Sequence, residues 1–293
     1  GWVHQQSGEG VILGHNTIAG MILVIPHMSE NIPQMQQEMM QGLQEGGATP
    51  WRSRVTEQAS DLFDMLVVTR YADGRDRSFD VCMKQVAGEV RKKEADLRQQ
   101  AQSIRDAGLD CTMGVVEWNY WTRAGHNDHA GFYEPNDIRH CLYAAGYLNA
   151  FCRMGDIMEI AHYYSLVNTM GMIRVVDGQV EFTDVAKVFK LFEPALPGDV
   201  LELEIETPRF DDGSGTVDAN FVRKEGALYG FLVNFSPDES AQVSLAELGA
   251  VMEATGITAD AILQPVRDID PEFDDESVIL PPASVVRVTC KLP

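Results

Sequence analysis

The sequence predicts an α/β fold of the (β/α)8 TIM-barrel type over residues 1–180, followed by an antiparallel β-sandwich over residues 181–293. Three observations predict it. From residue 51 onward, short apolar runs alternate with helical patterns, the rhythm of a parallel βαβ sheet. Those runs are nearly continuous in apolar residues, as strands covered on both faces should be. After about residue 176 the rhythm gives way to short alternating strands between turn residues, as in a sandwich.

The elements follow in chain order. "AGMILVIPHM" (19–28) reads as a buried strand. "ENIPQMQQEMMQGLQEGG" (30–47) reads as a helix that ends at its glycines, its methionines filling core gaps. "DMLVVTRYAD" (64–73) is an apolar run that turns polar at its end. Residues 78–110 carry Val86, Val90, Leu97, Ala101 and Ile104 on one helical face, with Gly108 as C-cap. "CTMGVVEW" is the next strand. A helix with Asn136 or Asp137 as N-cap follows, and then the apolar run 157–168. Further on, 199–208 alternates strictly, 217–236 reads as two strands around Lys-Glu-Gly, and 276–293 supplies the last strands.

Composition narrows the function. A net charge of −21 disfavours nucleic acid and anionic membrane surfaces as partners and leaves a neutral substrate as the simple expectation. Five cysteines with no CxxC read as scattered reduced thiols, so the expected location is cytoplasmic, with extracellular or periplasmic sites left open. No run reaches the ~18 apolar residues of a membrane span. "HNDH" (126–129) reads as a polar loop, and neither a metal nor another cofactor is expected.

One stretch concentrates the chemistry. In "VVEWNYW" (115–121), Glu117 ends an apolar run and is followed by Trp118, Asn119, Tyr120 and Trp121. In a (β/α)8 barrel the C-terminal strand ends form the active face. A carboxylate among aromatics suits a sugar, whose apolar faces stack on rings while carboxylates act at the acetal oxygens. The competing reading is a strand-end glutamate in an ordinary salt bridge.

"MGVVEWNYW" resembles the nucleophile strand of the family-51 α-L-arabinofuranosidases, retaining glycosidases with a (β/α)8 barrel and a C-terminal β-sandwich. "PWRSRVTEQASDLFDMLVVTRYAD" is similar to the segment leading into the family's sixth strand, and "YAAGYLNAFCRMGDIMEIAHYYSLVNTMG" to its helix and eighth strand. "LYGFLVNFS" and "LPPASVVRV" resemble its sandwich strands. The similarity covers roughly residues 51–293. It implies Glu117 as nucleophile, with Trp118, Asn119, Tyr120, Trp121, Tyr71 and Thr69 at the substrate, and no cofactor.

The departures matter too. Thr69 stands where the family has His, and Ser165 where it has Gln, both at the sugar site. The family's acid/base lies in an Asn-Glu pair on its fourth strand, and no Asn-Glu occurs in this sequence. Only strands six to eight are matched, with 19–28 as a candidate fifth, so the chain is expected to hold the C-terminal half of the barrel. Either a further segment or a second chain then completes the barrel and covers its open edge, or residues 1–50 are rebuilt into something else; a homo-oligomer is a further expected partner. The expected function is a retaining glycoside hydrolase acting on hemicellulose-type polysaccharides or their oligosaccharides. The alternatives are a non-catalytic carbohydrate-binding or scaffold subunit, and an endo-acting relative on another glycan.

Overall fold

The computed structural model describes residues 5–7, 10–15, 17–18, 21–22, 63–74, 78–122, 126–128 and 131–292. The expected helix over 30–47 lies outside them, and of the 19–28 run only Met21–Ile22 falls in a strand that is described.

The strands are β1 (Gln5–Ser7), β2 (Gly10–His15), β3 (Thr17–Ile18), β4 (Met21–Ile22) and β5 (Met65–Asp73). Helix α1 (Phe79–Asp106) follows, then β6 (Thr112–Trp121), β7 (His126–Asp128), β8 (Gly131–Tyr133) and helix α2 (Ile138–Cys152). Next come β9 (Met158–Tyr163), the hairpin β10 (Ile173–Val176) and β11 (Gln179–Phe182), and helix α3 (Asp184–Phe192). The remainder is β12 (Asp199–Val200), β13 (Val217–Lys224), β14 (Ala227–Asn234), β15 (Ala241–Ser244) and β16 (Ala250–Thr258). It ends with β17 (Arg267–Ile269), β18 (Ser277–Leu280) and β19 (Ser284–Lys291). One sheet has the order β1-β2-β5-β6-β9.

The chain divides into two compact units. The first holds the described residues through Arg70, Asp96–Val116 and Ile157–Ala161. In it β2 runs parallel to β5, from Ile12 beside Met65 to His15 beside Val68. The Thr112 amide donates to the Asp64 carbonyl, and the Met113 amide to that of Ile157. Leu66, Val67, Val68, Met113 and Val115 are buried, as the unbroken apolar runs require. The last turns of α1 bury Leu97, Ala101 and Ile104, and its earlier turns, in the second unit, bury Val86 and Val90, so all five residues expected on one face are buried. Gly108, at φ +65°, closes the helix as predicted: its amide reaches the Arg105 carbonyl, and the Leu109 amide that of Ile104.

The second unit holds Tyr71–Ala95, Glu117–Asp156 and His162 onward. Here the Gly74 amide donates to the Trp121 carbonyl and the Tyr164 amide to that of Trp118. These bonds join the ends of β5 and β6 and of β6 and β9, which are neighbours in the sheet order. Asp137 caps α2, its carboxylate accepting from the Arg139 amide at 3.1 Å. Arg153, just past α2, bonds Glu94 of α1 at 2.6 Å and Asp218 of β13 at 3.0 Å. That pairing lets three charges sit at partly buried positions.

The rest of the unit is a sandwich. Its larger sheet has the order β12-β13-β14-β19-β16-β17, with antiparallel pairing throughout, and a second sheet pairs β15 with β18. Phe221, Leu232, Val251, Val278, Val286 and Cys290 fill its core. The expected turn at Lys-Glu-Gly joins β13 to β14, with Glu225 at φ +51° and Gly226 at φ +81°. That pair of left-handed residues gives the turn a twist matching the strands.

Two features differ from expectation. The sequence reading of alternating strands after 176 passed over helix α3, whose Val185, Val188, Leu191 and Phe192 are buried and whose Phe192 ring stacks on Phe231 at 3.9 Å. And of the alternating stretch 199–208, only Asp199 and Val200 join a ladder.

Candidate active site

Strand alternation sorts the residues of "VVEWNYW". Successive side chains point to opposite faces, so Glu117, Asn119 and Trp121 share one side of β6 while Trp118 and Tyr120 share the other. Trp118 is fully buried, its ring 5.0 Å from that of Tyr163, 5.3 Å from Phe151 and 5.5 Å from Tyr147. Tyr120 is fully buried as well, against Tyr143 and His140. Both were expected at the substrate, and the structure puts them instead in the packing beneath α2.

Glu117 is half-buried. The hydroxyl of Tyr71, at the end of β5, donates to its Oε2 at 3.1 Å. Burial, and then the Glu117 carboxylate, push the Tyr71 phenol upward, so it remains a donor at any working pH. Trp121 and Tyr164 meet the Tyr71 ring edge-on at centroid distances of 6.4 and 6.3 Å. Tyr164 is 43% exposed. The result is a carboxylate with a fixed donor and three rings, at least one of them open to solvent. Among the described residues, no lysine or arginine pairs with Glu117.

Asn119 is buried rather than open to a ligand. Its Nδ2 donates to the Tyr164 carbonyl, and to that of Met170 at 3.1 Å. Its Oδ1 accepts from the Tyr120 amide at 2.6 Å and from the Tyr163 hydroxyl at 3.1 Å. Asn119 therefore ties β6 to the chain after β9 and holds Tyr164 beside Tyr71. Thr69 is buried in the first unit, its carbonyl accepting from Arg70. The sequence reading passed over Tyr164, although an aromatic just past a strand end was the signal used for Trp121.

Around the N-terminus of α2 lies a buried ionic cluster. Glu134 accepts from the amide and hydroxyl of Thr122. His140 stands 3.7 Å from Glu134 and 3.5 Å from Asp137, and Arg139 binds Asp137 through both carboxylate oxygens. Burial opposes the charged form of each, yet the partners outweigh it: Glu134 and Asp137 are held low and His140 is held high.

The family model described as the alpha-L-arabinofuranosidase C-terminal domain matches residues 117–285 and so begins at Glu117. The chain belongs to that family. Among solved structures it is similar to the GH51 arabinofuranosidase of Xanthomonas axonopodis pv. citri, with TM-score 0.71 and 23% identity over 82% of this chain and 55% of that one. The alpha-L-arabinofuranosidase of Thermotoga maritima gives TM-score 0.67 and 20% identity over 83% and 55%. AbfB, a family 51 enzyme of Bifidobacterium longum, gives 0.69 and 15% over 86% and 60%. No match was found among curated proteins. The chain thus spans between 55% and 60% of the length of these structures. The fold is the C-terminal portion of theirs, TIM-barrel strands followed by a β-sandwich.

Proposed function

We propose that this chain is the nucleophile-bearing part of a retaining glycoside hydrolase of the α-L-arabinofuranosidase type, acting on hemicellulose-type polysaccharides or oligosaccharides. The observation that carries this reading is the half-buried Glu117 carboxylate, oriented by Tyr71 at 3.1 Å and flanked by Trp121 and Tyr164. Glu117 attacks the anomeric carbon, the glycosidic oxygen leaves, and a glycosyl ester forms. Water then cleaves the ester. Trp121 and Tyr164 offer faces for the sugar, and Tyr71 holds the carboxylate in line.

A retaining site also needs an acid ~5–5.5 Å from the nucleophile to protonate the leaving oxygen. The family's Asn-Glu pair is missing from this sequence, so that group comes from outside residues 51–293: from a second polypeptide, a further N-terminal region, or Glu9 or Glu30 of this chain. The same observation favours a second reading, a carbohydrate-binding subunit without turnover.

An activated substrate separates the two. A fluoride leaving group departs without a proton donor, so a 2-deoxy-2-fluoro-arabinofuranosyl fluoride tests the nucleophile alone. The expected result is a covalent adduct on the peptide bearing Glu117, absent from Glu117→Ala. Glycan binding without any adduct would support the binding subunit, and an adduct on another carboxylate would overturn the assignment.

A further inference from the structure

The β-sandwich contains a slot that the proposed chemistry does not use, with a volume of about 630 Å³. One wall is the stretch 203–208, and the other is 241–248, which includes β15. Val217, Ala219 and Phe221 of β13, with Leu232 of β14, form its apolar floor.

Both walls carry unused backbone. Residues 203–207 alternate apolar and polar side chains as a strand does, yet among the described residues none of their backbone groups bonds to another. β15 pairs only with β18, from Ala241 beside Leu280 to Ser244 beside Ser277, which leaves its other edge open among the described residues. A row of unpaired amides and carbonyls is a template for another strand. The rim is acidic: Glu204, Glu206 and Glu247 line it, with no lysine or arginine. A chain of net charge −21 is a poor partner for itself there.

We propose that this slot docks an extended strand of a partner polypeptide, apolar at alternate positions and bearing lysine or arginine between them. The strand pairs with 203–207 and β15 and completes the smaller sheet of the sandwich. Backbone pairing supplies affinity, and the floor and the acidic rim supply selectivity.

The test uses the 293-residue chain and three capped heptapeptides: alternating Lys and Val, the same peptide with its valine amides N-methylated, and alternating Glu and Val. The Lys–Val peptide is expected to bind and to slow hydrogen exchange at the amides of 203–207. The N-methylated peptide, equal in charge, is expected to bind at least ~10-fold more weakly, since it cannot pair along the edge. The Glu–Val peptide is expected not to bind. Ala219→Trp, which fills the floor, should abolish binding, and the exposed pair Glu204→Lys with Glu206→Lys should reverse the charge preference without touching the core. Equal binding of the Lys–Val and N-methylated peptides, or no protection at 203–207, would overturn the proposal.

Discussion

The Tyr71 hydroxyl donates to Glu117 Oε2 across 3.1 Å, so the end of one strand orients the carboxylate of its neighbour. A hydrogen bond to a charged group contributes ~1.5–3 kcal/mol. Under the proposed role, Tyr71→Phe should therefore slow labelling of Glu117 about 10- to 100-fold. Melting should change little, because the ring and its contacts with Trp121 and Tyr164 remain. Unchanged labelling would show that the bond does not serve the reaction.

Asn119 is a junction rather than a ligand contact. Replacing it with Leu removes the acceptor for the Tyr120 amide and the Tyr163 hydroxyl and the donor to the Tyr164 and Met170 carbonyls. Each buried group left unpaired costs about 1–3 kcal/mol. The expected outcome is a marked loss of stability, with faster hydrogen exchange in the segment 164–170. Slow exchange there in a destabilised variant would mean that Asn119 does not hold the segment.

What was legible in the sequence was mostly local. Gly108 and Asp137 end and start their helices through their own backbone and side-chain chemistry, and Glu225-Gly226 makes its turn the same way. Helix α3 could have been read from Thr183 before Asp184 and the spacing of Val185, Val188 and Leu191, but the strands around it set the expectation. The stretch 199–208 shows the limit of local pattern. Its alternation is that of a strand, yet a ladder needs a neighbour, and a neighbour is set by the fold. The aromatics after Glu117 were visible as a group, while the face each one occupies follows from the alternation of β6. Tyr71 and Glu117, 46 residues apart, meet only through the order of β5 and β6 in the sheet.

Trp118 and Trp121 should separate by experiment. Trp118 is fully buried among rings from α2, β9 and α3, so Trp118→Ala opens a core cavity and is expected to cost ~3–5 kcal/mol. Trp121 is half-buried beside Tyr71, and Trp121→Ala should cost less than half as much. Under the proposed function the order reverses for glycan affinity, with Trp121→Ala the more damaging per folded molecule. Denaturant unfolding and a binding titration on the folded fraction measure the two effects.

The His140 cluster gives stability a pH dependence of definite sign. His140 faces Glu134 at 3.7 Å, Asp137 at 3.5 Å and the Tyr120 ring at 5.9 Å, with Arg139 paired to Asp137. Although burial alone would lower its pKa, the two carboxylates raise it above the ordinary value of ~6.5. A raised folded-state pKa means that the folded chain holds this proton more tightly than the unfolded chain. The stabilisation is complete below the unfolded value and is lost as pH rises through the folded one. Glu134 and Asp137 are held low, so their contribution is present above the ordinary carboxylate range and is lost as pH falls through their folded values. His140→Gln keeps a polar side chain and removes the charge. The stability advantage of the native chain over this variant should be greatest near pH 5–6 and shrink as the pH is raised, as read from urea midpoints between pH 5 and 9. An advantage that stays flat or grows with pH would show that His140 is neutral in the folded chain, so that the cluster depends on Arg139 alone.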